Sequence, residues 1–154
     1  MNRTFNPVAA LAIFAILAGC TQAKGPGLPA DPLDQAIGGA IGDPTTCVII
    51  ADRATHKAVY TYGENSNCAR ALPACDRPGL SSAKAALTFA DTADGRGASC
   101  PTAADGSRSV GWAEGRIVSM RGNWIYSAVM EGETALPGQE MSARLTQAFH
   151  NAGL

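Results

Sequence analysis

Apolar positions along this chain follow two periods, and each period marks out elements. Cys47–Asp52 (CVIIAD) is β-branched and apolar. Lys57–Gly63 (KAVYTYG) alternates, with Ala58, Tyr60 and Tyr62 on one side and Val59 and Thr61 on the other. The polar connection Arg53-Ala54-Thr55-His56 between them predicts a β-hairpin. Leu80–Ala90 switches to helical spacing, with Leu80, Ala83, Leu87 and Ala90 sharing a face and Ser81 or Ser82 serving near the N-cap. Arg108–Met120 and Gly122–Gly132 read as two long strands around a turn at Arg121-Gly122-Asn123. Val110, Trp112 and Val118 alternate in the first, and Trp124, Tyr126, Ala128 and Met130 in the second. Gly111 and Gly115 interrupt the first strand and mark bulges or the close approach of another element. Beyond Pro137-Gly138, Gln139–Ala152 is amphipathic, with Met141, Leu145, Ala148, Phe149 and Ala152 on one stripe. The order hairpin, helix, hairpin, helix predicts an α+β fold. Its antiparallel sheet of two hairpins carries two helices packed on one face, as a two-layer sandwich.

The N-terminus follows a different logic. Arg3 precedes an uncharged apolar block, Val8 to Leu17, that ends in small residues. Ten residues of helix rise roughly 15 Å, against about 30 Å of bilayer hydrocarbon, so the block is too short for a permanent membrane span. Leu17-Ala18-Gly19-Cys20 resembles the lipobox of bacterial lipoproteins. The resemblance implies a signal peptide over residues 1–19, cleavage before Cys20, and a lipid (diacylglycerol with a further acyl chain such as palmitate) on that cysteine. One acyl chain binds a bilayer only marginally, whereas two or three hold durably. It also implies a cell-envelope location, anchored in the membrane with the domain in the periplasm. Thr21, in place of an aspartate, leans toward the outer membrane. The alternative is an ordinary secretory cut near Ala18 or Gly19 with Cys20 left as a thiol. Residues 20–45 contain Pro26, Pro29, Pro32 and Pro44 with Gly25, Gly27, Gly38, Gly39 and Gly42. That composition predicts a tether of about 25–30 Å on root-mean-square average. Leu33–Ile41 has helical potential that its glycines weaken. The folded domain is expected over 46–154.

Removing 19 signal residues from 154 leaves a length that suits one domain. The full chain has 12 basic and 13 acidic residues, scattered without a basic run, which argues against a nucleic-acid partner. With Cys20 committed to lipid, Cys47, Cys68, Cys75 and Cys100 form an even set suited to an oxidising compartment. Four cysteines allow three pairings. Closing the open end of the first hairpin favours Cys47–Cys68, and bracketing the first helix favours Cys75–Cys100. Metal binding is the alternative, but there is no C-x-x-C pair, and neither His56 nor His150 stands at ligand spacing from a cysteine. No metal or cofactor is expected.

Candidate chemistry is sparse. Ser81-Ser82-Ala83-Lys84 fits S-x-x-K at a helix start and resembles the penicillin-recognising serine hydrolases. The resemblance implies Ser81 as nucleophile and Lys84 as the group assisting its deprotonation. The chain has no K-T-G or K-S-G triplet, and the other reading is a capping serine beside an exposed lysine. His56 falls in a turn, and His150 near a helix C-terminus, where positive charge suits the dipole. Glu131 and Glu133 flank Gly132 as a carboxylate pair, and Asp91, Asp94 and Asp105 lie in a Gly-rich loop without calcium-loop spacing. Trp112, Trp124 and Tyr126 are expected as one aromatic cluster, either core or, on an uncovered sheet face, a binding surface. The function expected is therefore a membrane-anchored envelope lipoprotein, with a binding or structural domain that meets an envelope protein or wall component. A reduced serine hydrolase and a small-ligand binder are the alternatives.

Overall fold

The computed structural model describes residues 27–92 and 95–154, so the lipobox, Cys20 and Asp94 lie outside the described residues. The fold is α+β. In chain order it contains helix α1 (Ala30–Ile41), strands β1 (Cys47–Asp52) and β2 (Ala58–Tyr62), and helix α2 (Asn65–Ala69). A two-residue pair follows, β3 (Leu72–Pro73) and β4 (Leu80–Ser81). Then come helix α3 (Ala83–Ala90), strands β5 (Arg96–Pro101), β6 (Ser109–Ser119) and β7 (Gly122–Gly132), and helix α4 (Gly138–Asn151). The main sheet is antiparallel throughout, in the order β2-β1-β7-β6-β5, and β3 and β4 form a separate small sheet.

Both hairpins occur, and joining β1 to β7 merges them into one sheet. Strand parity then divides the core. Val48, Ile50, Ala113, Trp124, Tyr126, Ala128 and Met130 point to one face, where α1 and α4 supply Leu33, Ile37, Ile41, Met141, Leu145 and Phe149. Cys47, Ile49, Ala51, Val110, Trp112, Ile125 and Val129 point to the other, where α3 supplies Ala83, Ala86, Leu87 and Ala90. The two helices foreseen in the sequence therefore lie on opposite faces, and the sheet is covered on both. The physical reason is visible in the strands: β1 and β7 are apolar at consecutive positions, and such strands must be buried on both sides.

Three further expectations are corrected. Residues 30–41 are not tether but helix α1, whose Leu33, Ile37 and Ile41 recur at helical spacing and are buried to within 3%. Tertiary packing overrides the cost of Gly38 and Gly39, and Gly38 lies under the Tyr62 hydroxyl. Arg96–Pro101, read as loop, is edge strand β5. Ser99 accepts a hydrogen bond from the Gly138 amide at 2.7 Å, and Gly97 and Gly138 meet backbone to backbone where a Cβ would clash. Gly111 also meets the Leu136 carbonyl, so this strand glycine marks close approach. The third correction concerns the aromatic cluster. The β6–β7 turn is Met120-Arg121, with Ser119 opposite Gly122 and Trp112 opposite Val129. A turn centred on Gly122 would have put Trp112 on the same face as Trp124 and Tyr126. Moving the turn by this step flips Trp112 to the opposite face, where its Nε1 donates to the Pro73 carbonyl at 2.7 Å.

Two disulfides join Cys47 to Cys68 and Cys75 to Cys100, with Cα separations of 5.2 and 5.4 Å. These are the pairings favoured by the hairpin and helix geometry. Cys47–Cys68 ties α2 to the start of β1, and Cys75–Cys100 ties the irregular segment before α3 to β5. No helix among the described residues is long and apolar enough to cross a membrane.

Candidate functional site

A cleft of about 460 Å³ opens on the α3 face beside β2, which is an edge strand. Ile49, Ala58 and Thr61 form its floor. Asn65, Cys68 and Ala69 of α2 line one side, and Lys84, Leu87 and Thr88 of α3 the other, with His56 at the rim. The cleft exists because α2 is only five residues long and α3 only eight. Neither reaches over the outer strand. The surface is mainly apolar, and among the described residues Lys84 and His56 are the ionisable groups that line it. Such a lining can hold a small apolar or anionic group, but it sets no acid against a base.

Lys84 is in this lining and Ser81 is not. Ser81 sits in β4 opposite Leu72, and its hydroxyl donates to the Ser82 carbonyl at 3.4 Å. Ser82 is the N-cap: it is extended, and its Oγ accepts from the Ala85 amide at 3.2 Å. The helix start is therefore capped by Ser82, the residue after the serine of the S-x-x-K pattern. Leu80, placed on the helix face by spacing, lies before the cap and is 69% exposed.

The carboxylates have also been given structural work. Glu131 is buried and accepts from Arg108 through both oxygens, at 3.0 and 2.8 Å, from the Thr102 hydroxyl at 3.1 Å, and pairs with Arg70 at 3.0 Å. The Arg108 hydrogen bonds, reinforced by Thr102 and Arg70, hold its carboxyl below the usual glutamate range. Glu133, two residues on, is exposed. Asp91 is engaged by Arg53 at 2.5 Å, and Asp105 by Ser107 through its amide and hydroxyl. His56 occupies the β1–β2 turn with φ of 56°, and His150 the exposed last turn of α4. Among the described residues no group of three His, Cys, Asp or Glu side chains could hold a metal ion.

One buried centre was not foreseen. Glu114 projects from β6 onto the α3 face, is 4% exposed, and accepts from Arg77 Nη2 at 3.1 Å. Burial pushes its carboxyl above the usual range, and the Arg77 hydrogen bond pulls it partly back. Arg77 also pairs with Asp76 at 3.3 Å and lies 4.0 Å over the Phe89 ring. Glu114 Oε2 and Arg77 Nε have no hydrogen-bond partner among the described residues. The signal available in the sequence was parity: Val110, Trp112 and Glu114 occupy alternate positions, so the acid falls on an apolar face.

No protein-family model, curated protein or solved structure matches this chain.

Proposed function

We propose that this chain is a bacterial envelope lipoprotein anchored through lipid on Cys20, whose disulfide-stapled domain binds an envelope protein or wall component rather than carrying out a reaction. The observation that carries the reading is cysteine usage. Four of the five cysteines are taken up pairwise by Cys47–Cys68 and Cys75–Cys100, which fits an oxidising compartment and leaves Cys20, at the lipobox-like Leu17-Ala18-Gly19, as the odd one. The binding role is supported by the fate of the ionisable groups, since Glu131, Asp91, Asp105 and Glu114 are each engaged by an arginine or by a turn hydroxyl.

Mass spectrometry of the mature protein is expected to show a lipid-modified N-terminal Cys20, and Cys20→Ala to release the protein from membrane fractions. Unchanged membrane retention of Cys20→Ala would overturn anchoring. A purified domain that hydrolyses an acyl or glycosidic substrate, and loses this on mutation of one residue, would overturn the binding role. The cleft beside β2 favours a second reading as a small-ligand binder. A thermal-shift screen in which no ligand raises the melting temperature counts against it.

A further inference from the structure

We infer that the β6–β7 hairpin tip docks into the surface of an anionic phospholipid bilayer, the same bilayer that holds Cys20. This rests on the lipid-anchor reading above and adds an orientation to it. The first observation is exposure. Met120 is fully exposed and Val118 is 71% exposed, both at the tip of the longest hairpin in the fold. A methionine in a two-residue hairpin turn occupies a place where small polar residues are the usual choice. It fills no space in the domain.

The second observation is where the chain enters. Asp34 of α1 accepts from the Tyr60 hydroxyl at 2.6 Å, and Gly38 lies at the Tyr62 hydroxyl, so α1 runs alongside β2 in the same direction. Its first residues therefore lie at the start of β2, next to the β1–β2 turn. That turn is at the hairpin-tip end of the sheet, because Asp52 is opposite Trp124 and the Arg53 amide donates to the Asn123 carbonyl. The hairpin is two strand spacings away, about 10 Å.

The third is reach. Leu28 already packs against the core, so eight Cα-to-Cα steps separate it from Cys20. Fully extended they span at most roughly 30 Å at about 3.3–3.6 Å each. A tether anchored so near this end turns the end toward the membrane. Charge agrees: Lys57 and Arg121 are exposed and form no ion pair among the described residues, while Arg53 is matched by Asp91. The nearby acids are Asp52, tied into its turn by hydrogen bonds from Thr55, and Asp31, in the first turn of α1 at the positive end of the helix dipole. Apolar side chains between cations are the arrangement that an anionic interface accepts.

The test uses the full mature protein in phosphatidylethanolamine–phosphatidylglycerol vesicles doped with a phospholipid carrying a diazirine on its acyl chain. After irradiation, reduction and trypsin, the lipid adduct is expected on the peptide 117–121, several-fold above that on peptide 97–108 from the far end of the sheet. Val118→Asp with Met120→Asp, both at exposed positions that leave the core intact, should bring the two peptides level. Equal labelling in the unmutated protein, with Cys20 lipidated by intact mass, overturns the tip docking and leaves the anchor standing. An unlipidated Cys20 overturns both.

Discussion

The two faces of the sheet are held by different means. On one, α1 and α4 lie side by side, 12 and 14 residues long, and bury an unbroken apolar stripe against alternate strand positions. Its polar contacts are few, such as the Tyr126 hydroxyl with Ser142 at 3.2 Å beneath α4. On the other face the cover is made of short pieces: α2, α3 and the β3–β4 pair. That face carries both disulfides, the Arg77–Glu114 pair and the open cleft. Short segments cannot bury enough apolar area to offset their own ordering entropy, so covalent links do part of the work. Long amphipathic helices need no such staples.

The largest expected effect tests this contrast directly. The cross-links close loops of 21 and 25 residues, and each contributes about 3 kcal/mol in the chain-entropy picture. Replacing all four cysteines by alanine should cost about 6 kcal/mol if the two add, and should open the faces unequally. Hydrogen exchange is expected to show amides of 65–90 losing protection while α4 keeps its own. Uniform loss across both faces would break the comparison. Next in size is Leu145→Ala, a fully buried residue on the unstapled face. It should cost about 2–5 kcal/mol through lost burial and a residual cavity, read from urea unfolding. A loss under 1 kcal/mol would mean that this face is less tightly packed than its burial suggests. Ser82→Ala removes the α3 cap and should cost about 1 kcal/mol, with Ser82→Asp restoring it. An unchanged midpoint in Ser82→Ala would show that α3 is held by its tertiary contacts alone.

The same contrast explains which parts were legible in the sequence. The first hairpin, both long strands and α4 announce themselves through β-branched or alternating apolar runs and through a stripe of period 3.6, with β1 and β7 apolar at consecutive positions because both of their faces are buried. The disulfide pairing followed from hairpin register, since Cys47 stands near the open end of β1. What sequence reading lost depends on tertiary partners. α1 hides among glycines and prolines that suggest a linker, and its Leu33-Ile37-Ile41 repeat gains meaning only against α4. β5 is written largely in small residues because it is an edge strand lying under the N-terminus of α4, where Gly97 and Ser99 meet Gly138. The position of Trp112 turned on a single turn residue. Ser81 and Lys84 fit a pattern of spacing that says nothing of their surroundings: Ser81 lies in β4 and Lys84 in the lining of the cleft.

The smallest effect separates two buried glutamates and carries opposite signs. Glu131 titrates below its ordinary value in the folded protein because Arg108, Thr102 and Arg70 favour its charge. Below the ordinary value of 4.5 the unfolded chain therefore binds more protons, and this stabilisation is lost as pH falls through the folded pKa. Glu114 titrates above the same ordinary value because burial disfavours its charge. Above 4.5 the folded chain binds more protons, so this contribution is complete at lower pH and is lost as pH rises through the folded pKa. The Arg77 guanidinium at 3.1 Å opposes the second effect in part. Asp43, Asp52 and Asp105, each lowered by hydrogen bonds within its own turn, add to the acid-side slope and are unchanged in both variants. Urea midpoints measured across the pH range should therefore show Glu131→Gln losing the acid-side rise, and Glu114→Gln losing the fall on the other side of 4.5. Glu131 shares the parity of Ile125 and Val129, so both carboxyls belong to the stapled face, and superimposable profiles for the two variants would mean that the Arg77–Glu114 and Arg108–Glu131 pairs hold that face in the same way.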